Sequence, residues 1–348
     1  MGGLVLSTIL LVRLASSEFR FVAFGDWGSD TKMLKATMSA VTELVPERDF
    51  MILLGDNAYP AGVSSVNDPH FDIFRNTVAS GSTIPHHVIL GNHDYMGVPQ
   101  AEIDFSSVDA RWDMPSRYYK RTYSRGGVQL CLLFIDTVNF DQPQVDWIAQ
   151  QLAADDCNTD KAWTIVSGHY PIWSSGMYSD SPDLQQKLLP LLRQYKVPMY
   201  LCGHEHLHEV FYDGIVTQVV SGASMEARPA RQFKAHPEQI WGVSGSTVSG
   251  FINVHASTDA LDVEIPSSYS LLNFVKFSLS RTGEKASMFG HIGWTFSDSN
   301  RDAYIASPTP SGGPTSVPLA GAPGSGSWSG VLGSVPFLII IITILAFN

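Results

Sequence analysis

The chain has only three cysteines, Cys131, Cys157 and Cys202, spread over 348 residues. Such scattered positions make no zinc motif and no disulfide framework. They allow at most one intramolecular bridge, and the spacing does not choose it. Cys131 and Cys202 lie in apolar, strand-like runs, where a thiol serves as a small hydrophobe. A basic run is also missing, and the formal charge is −11, which argues against nucleic acid as the main partner. No cysteine or serine stands in a nucleophile-like motif, so nothing points to covalent catalysis. There is no repeat of fixed period. What is present is 44% hydrophobic and 11% aromatic residues, enough to bury the core of one large α/β domain with terminal extras.

The ends differ from the middle. Residues 4–12 form a short, mostly apolar core and lead to Ala15-Ser16-Ser17, so residues 1–17 read as a signal peptide. Leu6 occupies the place where N-myristoylation needs Ser or Thr. Residues 301–330 read as a stalk, since from 307 on they are rich in Ser, Pro, Gly and Thr and cannot build a core. Residues 331–347 are almost wholly apolar, at the low end of what spans a membrane. With no basic cluster after it, this tail fits a GPI-attachment signal, with the small residues of 321–327 as attachment sites, or a C-terminal span. Either reading anchors the protein to a membrane in the secretory pathway, with its folded part luminal or extracellular. That folded part is expected over residues 18–300, of which 266–300 show no clear pattern.

Within it, 18–25, 51–54, 87–90, 164–167 and 199–202 read as strands, and 31–44, 71–79, 144–154 and 184–195 as helices, the first capped by Asp30. Residues 118–135 read as a hairpin around Arg125-Gly126-Gly127, 210–220 as two strands around Asp213-Gly214, and 251–265 as a late meander. Residues 224–248 lack a period and read as a long loop. The alternation predicts an α/β fold in which a second sheet packs on the first.

One pattern recurs five times: an apolar strand, a glycine, then a side chain able to bind metal. The positions are Asp26, Asp56 with Tyr59, Asn92 with His93, His169, and His204 with His206. Open α/β sheets hold ligands at the carboxyl ends of their strands, so one edge can gather all five. Carboxylates, imidazoles, an amide and a phenol without a thiolate suit iron, manganese or zinc. Seven ligands exceed one ion with open positions. Two ions sharing a bridging carboxylate use them all, with Asp56 as the bridge. Such ions, roughly 3.5–4 Å apart, clamp the attacking and leaving oxygens of a phosphoryl displacement.

Taken in order, GDWG, GDNAY, GNHD, GHYP and GHEH resemble the metallophosphoesterases, and among them the small purple acid phosphatases of the mammalian tartrate-resistant type. The likeness runs over about residues 21–251 and includes VNDPHF, RWDMPSRYY and IDTV. It implies two packed mixed β-sheets flanked by helices in four layers, and hydrolysis of phosphate monoesters as an acid phosphatase. It implies a ferric ion on Asp26, Tyr59, His206 and bridging Asp56, and a divalent iron, zinc or manganese on Asp56, Asn92, His169 and His204. The nucleophile would be a water or hydroxide acidified by the metals. Asn92 and His93 would contact the phosphate, and His93, oriented by Asp94, would protonate the leaving alkoxide.

Most relatives bind the first metal through Asp-x-His, where this chain has Gly28; Tyr59 is the phenol that would replace the missing ligand. With an ordinary pKa near ~10, that phenol needs a strongly acidic ion such as Fe(III) to stay ionised. Tyr178 stands where the family has a further histidine, and the family's exposed repression loop is absent after Asp136-Thr137.

His208 is a candidate substrate contact. Trp27 is expected to pack, Asn57 to turn the chain, Glu205 to stand behind the ligands or in solvent, and Arg228 and Arg231 to be solvated. His70, His86, His87, His255 and His291 read as ordinary residues. Two other functions suit the fold: a phosphodiesterase or nucleotidase, and a non-catalytic membrane scaffold similar to the parasite glideosome-associated proteins, whose metal sites are eroded. All seven ligands are intact here.

Overall fold

The computed structural model describes residues 17–231, 236–271, 273–280 and 304–305. The expected signal peptide up to residue 16, most of the stalk, the apolar tail and His291 lie outside them. Among the described residues no helix is long and apolar enough to cross a membrane.

Fifteen strands are described: β1 (Phe19–Phe24), β2 (Phe50–Leu53), β3 (His86–Val88), β4 (Trp112–Asp113), β5 (Tyr119–Arg125), β6 (Val128–Phe134), β7 (Trp163–Ser167), β8 (Met199–Cys202), β9 (His208–Tyr212), β10 (Thr217–Ser221), β11 (Gln239–Val243), β12 (Ile252–Ala256), β13 (Ala260–Pro266), β14 (Asn273–Ser280) and β15 (Tyr304–Ile305). They form two mixed sheets, in the orders β14-β13-β12-β1-β2-β3-β4 and β15-β11-β9-β10-β8-β7-β6-β5. β1 to β4 run parallel in the first sheet, and β6, β7, β8 and β10 in the second. The predicted architecture is thus the observed one.

The two-residue period of a strand divides the core. On β6, Leu130, Leu132 and Phe134 face the first sheet's core, while Cys131 and Leu133 join the layer under the outer helices. That outer layer includes the helices Gln142–Leu152 and Leu189–Gln194, the latter preceded by a π-helical turn over Leu184–Leu188. On the other flank, α1 (Lys32–Leu44) is capped by Thr31, whose hydroxyl accepts from the Leu34 amide at 3.0 Å. The expected cap, Asp30, instead pairs with Lys35.

Three further readings change. Residues 224–248 contain a strand, β11, paired with β9. Residues 266–300, unassigned from the sequence, contribute β14 to the first sheet. Cys131 is no free thiol but is bridged to Cys157, while Cys202 is free and buried.

Candidate metal centre

All five strand ends meet at one edge, where the two sheets come together. The Gly25 amide donates to Ser221 O at 2.8 Å, tying the end of β1 to β10 in the other sheet, and the Asp26 amide donates to Gly55 O at 3.0 Å. The side chains then hold neighbouring backbone. Asp26 Oδ2 accepts from the His204 amide and Asp56 Oδ1 from the His93 amide, each at 2.8 Å. Asp26, Asp56 and His204 all have positive φ, at 56°, 54° and 69°. This left-handed backbone costs non-glycine residues on the order of 1–3 kcal/mol each and persists only where the surrounding structure holds it. Gly55, at φ 87°, escapes the cost, and a Cβ there would lie 2.7 Å from His169 Nδ1.

The side chains form two sets joined by one carboxylate. In the first, Tyr59 Oη lies 3.0 Å from Asp26 Oδ1, 2.8 Å from Asp56 Oδ2 and 3.3 Å from His206 Nε2. In the second, His169 Nε2 lies 3.1 Å from Asn92 Oδ1 and 3.4 Å from Asp56 Oδ1, with the His204 ring 5.1 Å from the His169 ring. Asp56 therefore turns Oδ2 to one set and Oδ1 to the other. His169 Nδ1 faces the Leu54 carbonyl at 2.8 Å; a carbonyl only accepts, so Nδ1 carries the hydrogen and Nε2 is left for the site.

These residues fit cations. Tyr59 has one hydroxyl hydrogen, yet its oxygen stands between two buried carboxylates. One proton cannot satisfy both, whereas a cation in its place answers to every donor around it. The protonation tendencies agree. Burial, followed by the charges of Asp26 and Asp56, pushes the Tyr59 phenol far above its usual range. Burial alone would raise Asp56, but the charge of His169 and hydrogen bonds from His169, His93 and Tyr59 hold it low. His169 rises to about 9 against the effect of burial, through Asp56. Burial, with the charge of His169, pushes His204 well below 6.5, which keeps its lone pair available.

Around the ligands, several expectations need correction. His93 is held not by Asp94 but by the Pro60 carbonyl, 2.6 Å from its Nδ1, and its Nε2 lies 4.0 Å from Asp56 Oδ2. Asp94 is fully buried and accepts from the amides of Gly91, Asn57 and Ala58 at 2.7–3.2 Å, so it fixes the turns that carry Asp56 and Asn92. Asn57 is more than a turn residue: its amide nitrogen reaches Ile89 O, Asp94 Oδ2 and Glu102 Oε2, and its oxygen accepts from Trp27 Nε1 at 3.0 Å. Trp27 packs, as expected, edge-on to Trp112.

His208 is fully buried on β9, opposite Ser221 and Val243, so it is no substrate contact. Glu205 is buried rather than solvated and accepts from Ser174 Oγ and the amides of Met177 and Tyr178. That anchors the loop carrying Tyr178, whose ring stacks 4.3 Å from the ring of His204. Arg228 is also engaged: it donates to Tyr178 Oη and to Glu226, whose Oε2 lies 3.1 Å from His206 Nδ1.

Residues 19–208 match the family model of the calcineurin-like phosphoesterases. The chain belongs to this family. It is 31% identical over 317 residues to human tartrate-resistant acid phosphatase type 5, covering 79% of this chain and 93% of that one. It is 27% identical to purple acid phosphatase 17 of Arabidopsis thaliana, covering 60% of this chain and 68% of that one. Among solved structures, GAP50, "the anchor in the inner membrane complex of Plasmodium", superposes with a TM-score of 0.67 at 24% identity, covering 76% of this chain and 89% of that one. The purple acid phosphatase PPD1 of yellow lupin superposes with a TM-score of 0.59 at 17% identity, covering 76% and 54%.

Proposed function

We propose that this protein is an acid phosphatase that hydrolyses phosphate monoesters at a binuclear centre. One observation carries the reading: Asp56 presents its two oxygens to two separate donor sets. Asp26, Tyr59 and His206 would hold Fe(III) with Asp56, and Asn92, His169 and His204 a divalent iron, zinc or manganese with the same carboxylate. When bound, two such ions neutralise the phosphate and acidify a water for in-line attack.

The chain's own residues do the rest. The Pro60 carbonyl fixes His93 by accepting its Nδ1 hydrogen, and the doubly protonated ring would pass its second proton, on Nε2, to the departing alkoxide. Asn92 and His93 would flank the phosphate. The similarity to tartrate-resistant and purple acid phosphatases supports a monoester substrate.

Metal analysis joined to rates on p-nitrophenyl phosphate and bis(p-nitrophenyl) phosphate tests the reading. A metal-loaded protein that prefers the monoester is expected. Preference for the diester would make it a phosphodiesterase, and absence of both metal and turnover would leave the fold as a scaffold.

The domain would lie on the luminal or extracellular side of the secretory pathway, held by its C-terminal tail. The Cys131–Cys157 bridge supports an oxidising compartment. Release from cells by a phosphatidylinositol-specific phospholipase C is expected of a GPI anchor; resistance would point to a span.

A further inference from the structure

The chain that leaves the metal-bearing turn at Tyr59 folds back on it within eleven residues. Asp68 Oδ2 accepts from the amide and hydroxyl of Ser64 at 2.8 and 2.7 Å. Asp68 Oδ1 accepts from the His70 amide at 3.0 Å and lies 2.9 Å from His70 Nδ1. The ring so seated places Nε2 at 2.8 Å from the carbonyl oxygen of Tyr59. A carbonyl only accepts, so the Nε2 hydrogen points at Tyr59. The next carbonyl, that of Pro60, holds His93 Nδ1. Two consecutive carbonyls thus tie the turn outward to His70 and inward to the proposed acid. The rings of Tyr59 and His93, carried at the two ends of this arrangement, lie 4.3 Å apart.

We infer that His70, seated on Asp68, is a positioning residue for both halves of the proposed site. By fixing the Tyr59–Pro60 peptide it sets how the phenol meets Asp26 and Asp56 and where His93 presents Nε2. It touches no reacting group and acts through the Tyr59 carbonyl. Small displacements of such groups are costly, because transfer rates fall steeply with misalignment. The inference rests on the acid phosphatase reading.

The test compares His70→Leu, which removes the donor, with His70→Gln, whose amide N–H can still reach the Tyr59 carbonyl. The readouts are the visible absorption of the iron-loaded enzyme and kcat and KM on an alkyl phosphate. His70→Leu is expected to shift the phenolate-to-iron band and to lower kcat about tenfold, the effect of one lost hydrogen bond, with KM little changed. His70→Gln restores most of both. Asp68→Asn loosens the seat and shifts the band less, in the same direction; it serves as the test if His70→Leu does not fold. A wild-type band and kcat in His70→Leu, with only the melting temperature lowered, would overturn the inference and leave the acid phosphatase reading standing. Wild-type protein with neither band nor monoesterase activity would remove both.

Discussion

Gly28 packs so tightly on Ala58 that a Cβ at residue 28 would lie 2.4 Å from the Ala58 amide nitrogen. Two backbone bonds hold the contact: the Gly28 amide donates to Asp56 O at 3.2 Å and the Tyr59 amide to Gly28 O at 3.0 Å. The residue that lacks a ligand side chain is therefore the one that lets the turn bearing Tyr59 approach Asp26. A histidine at 28 would restore the relatives' Asp-x-His pattern but push that turn away. Gly28→Ala is expected to destabilise by about 1–3 kcal/mol in denaturant unfolding, as overpacking does. Gly28→His is expected to lose metal in the Tyr59 set; a stable, fully metallated Gly28→His would contradict this.

His93 holds its proton-bearing Nδ1 on Pro60 and turns Nε2 to the site. His93→Ala is expected to lower kcat on an alkyl phosphate by about 10²–10⁴, the usual contribution of a general acid. The loss should be smaller on p-nitrophenyl phosphate, whose leaving group needs little protonation, and metal content should be unchanged. Equal losses on both substrates would argue against the acid role.

Asp94 accepts two donors on each oxygen: the Asn57 and Ala58 amides on Oδ1, and the Gly91 amide with Asn57 Nδ2 on Oδ2. Asp94→Asn sets an amide NH₂ against one of these pairs whichever way it flips. A stability loss of about 1–3 kcal/mol is expected from the buried mismatch, with the pH–rate profile of the remaining activity unmoved. A displaced profile would return Asp94 to the role of orienting His93.

His86 is buried on β3 against the Phe74 ring. Burial, helped by the charge of Arg48, pushes it from 6.5 down to about 4. Between those values the unfolded chain binds a proton that the folded chain refuses. This contribution is thus complete above pH 6.5 and is lost as pH falls through 4. The window is worth about 3 kcal/mol. His86→Leu should flatten the melting temperature against pH between 6.5 and 4; an unchanged slope would show that another group sets it.

The strand ends were legible because each follows an apolar run and a glycine, and a parallel sheet buried on both faces leaves such runs uninterrupted. The left-handed backbone at Asp26, Asp56 and His204 was not, since neither aspartate nor histidine announces it. Asn57 looked like a turn residue because its partners Trp27 and Glu102 are 30 and 45 positions away, a separation that carries no local pattern. β11 hid in a stretch rich in Arg, Gly and Ser, interrupted by a bulge between Gln239 and Trp241. β14 did leave a trace: Val275, Phe277 and Leu279 alternate and are buried. His208 was misread as a substrate contact because it lies close to His206 in sequence, but His206 stands in the turn before β9 while His208 opens the strand and is buried, so the strand period does not relate them.

The shared carboxylate and the single phenol hydrogen make Tyr59 the residue on which the proposed function turns. Metal analysis with the visible spectrum of the purified protein and of Tyr59→Phe tests it most directly. About two metal ions per chain are expected, at least one of them iron, with a visible band that disappears in Tyr59→Phe. A colourless, fully active wild-type enzyme, or a band untouched by Tyr59→Phe, would contradict it.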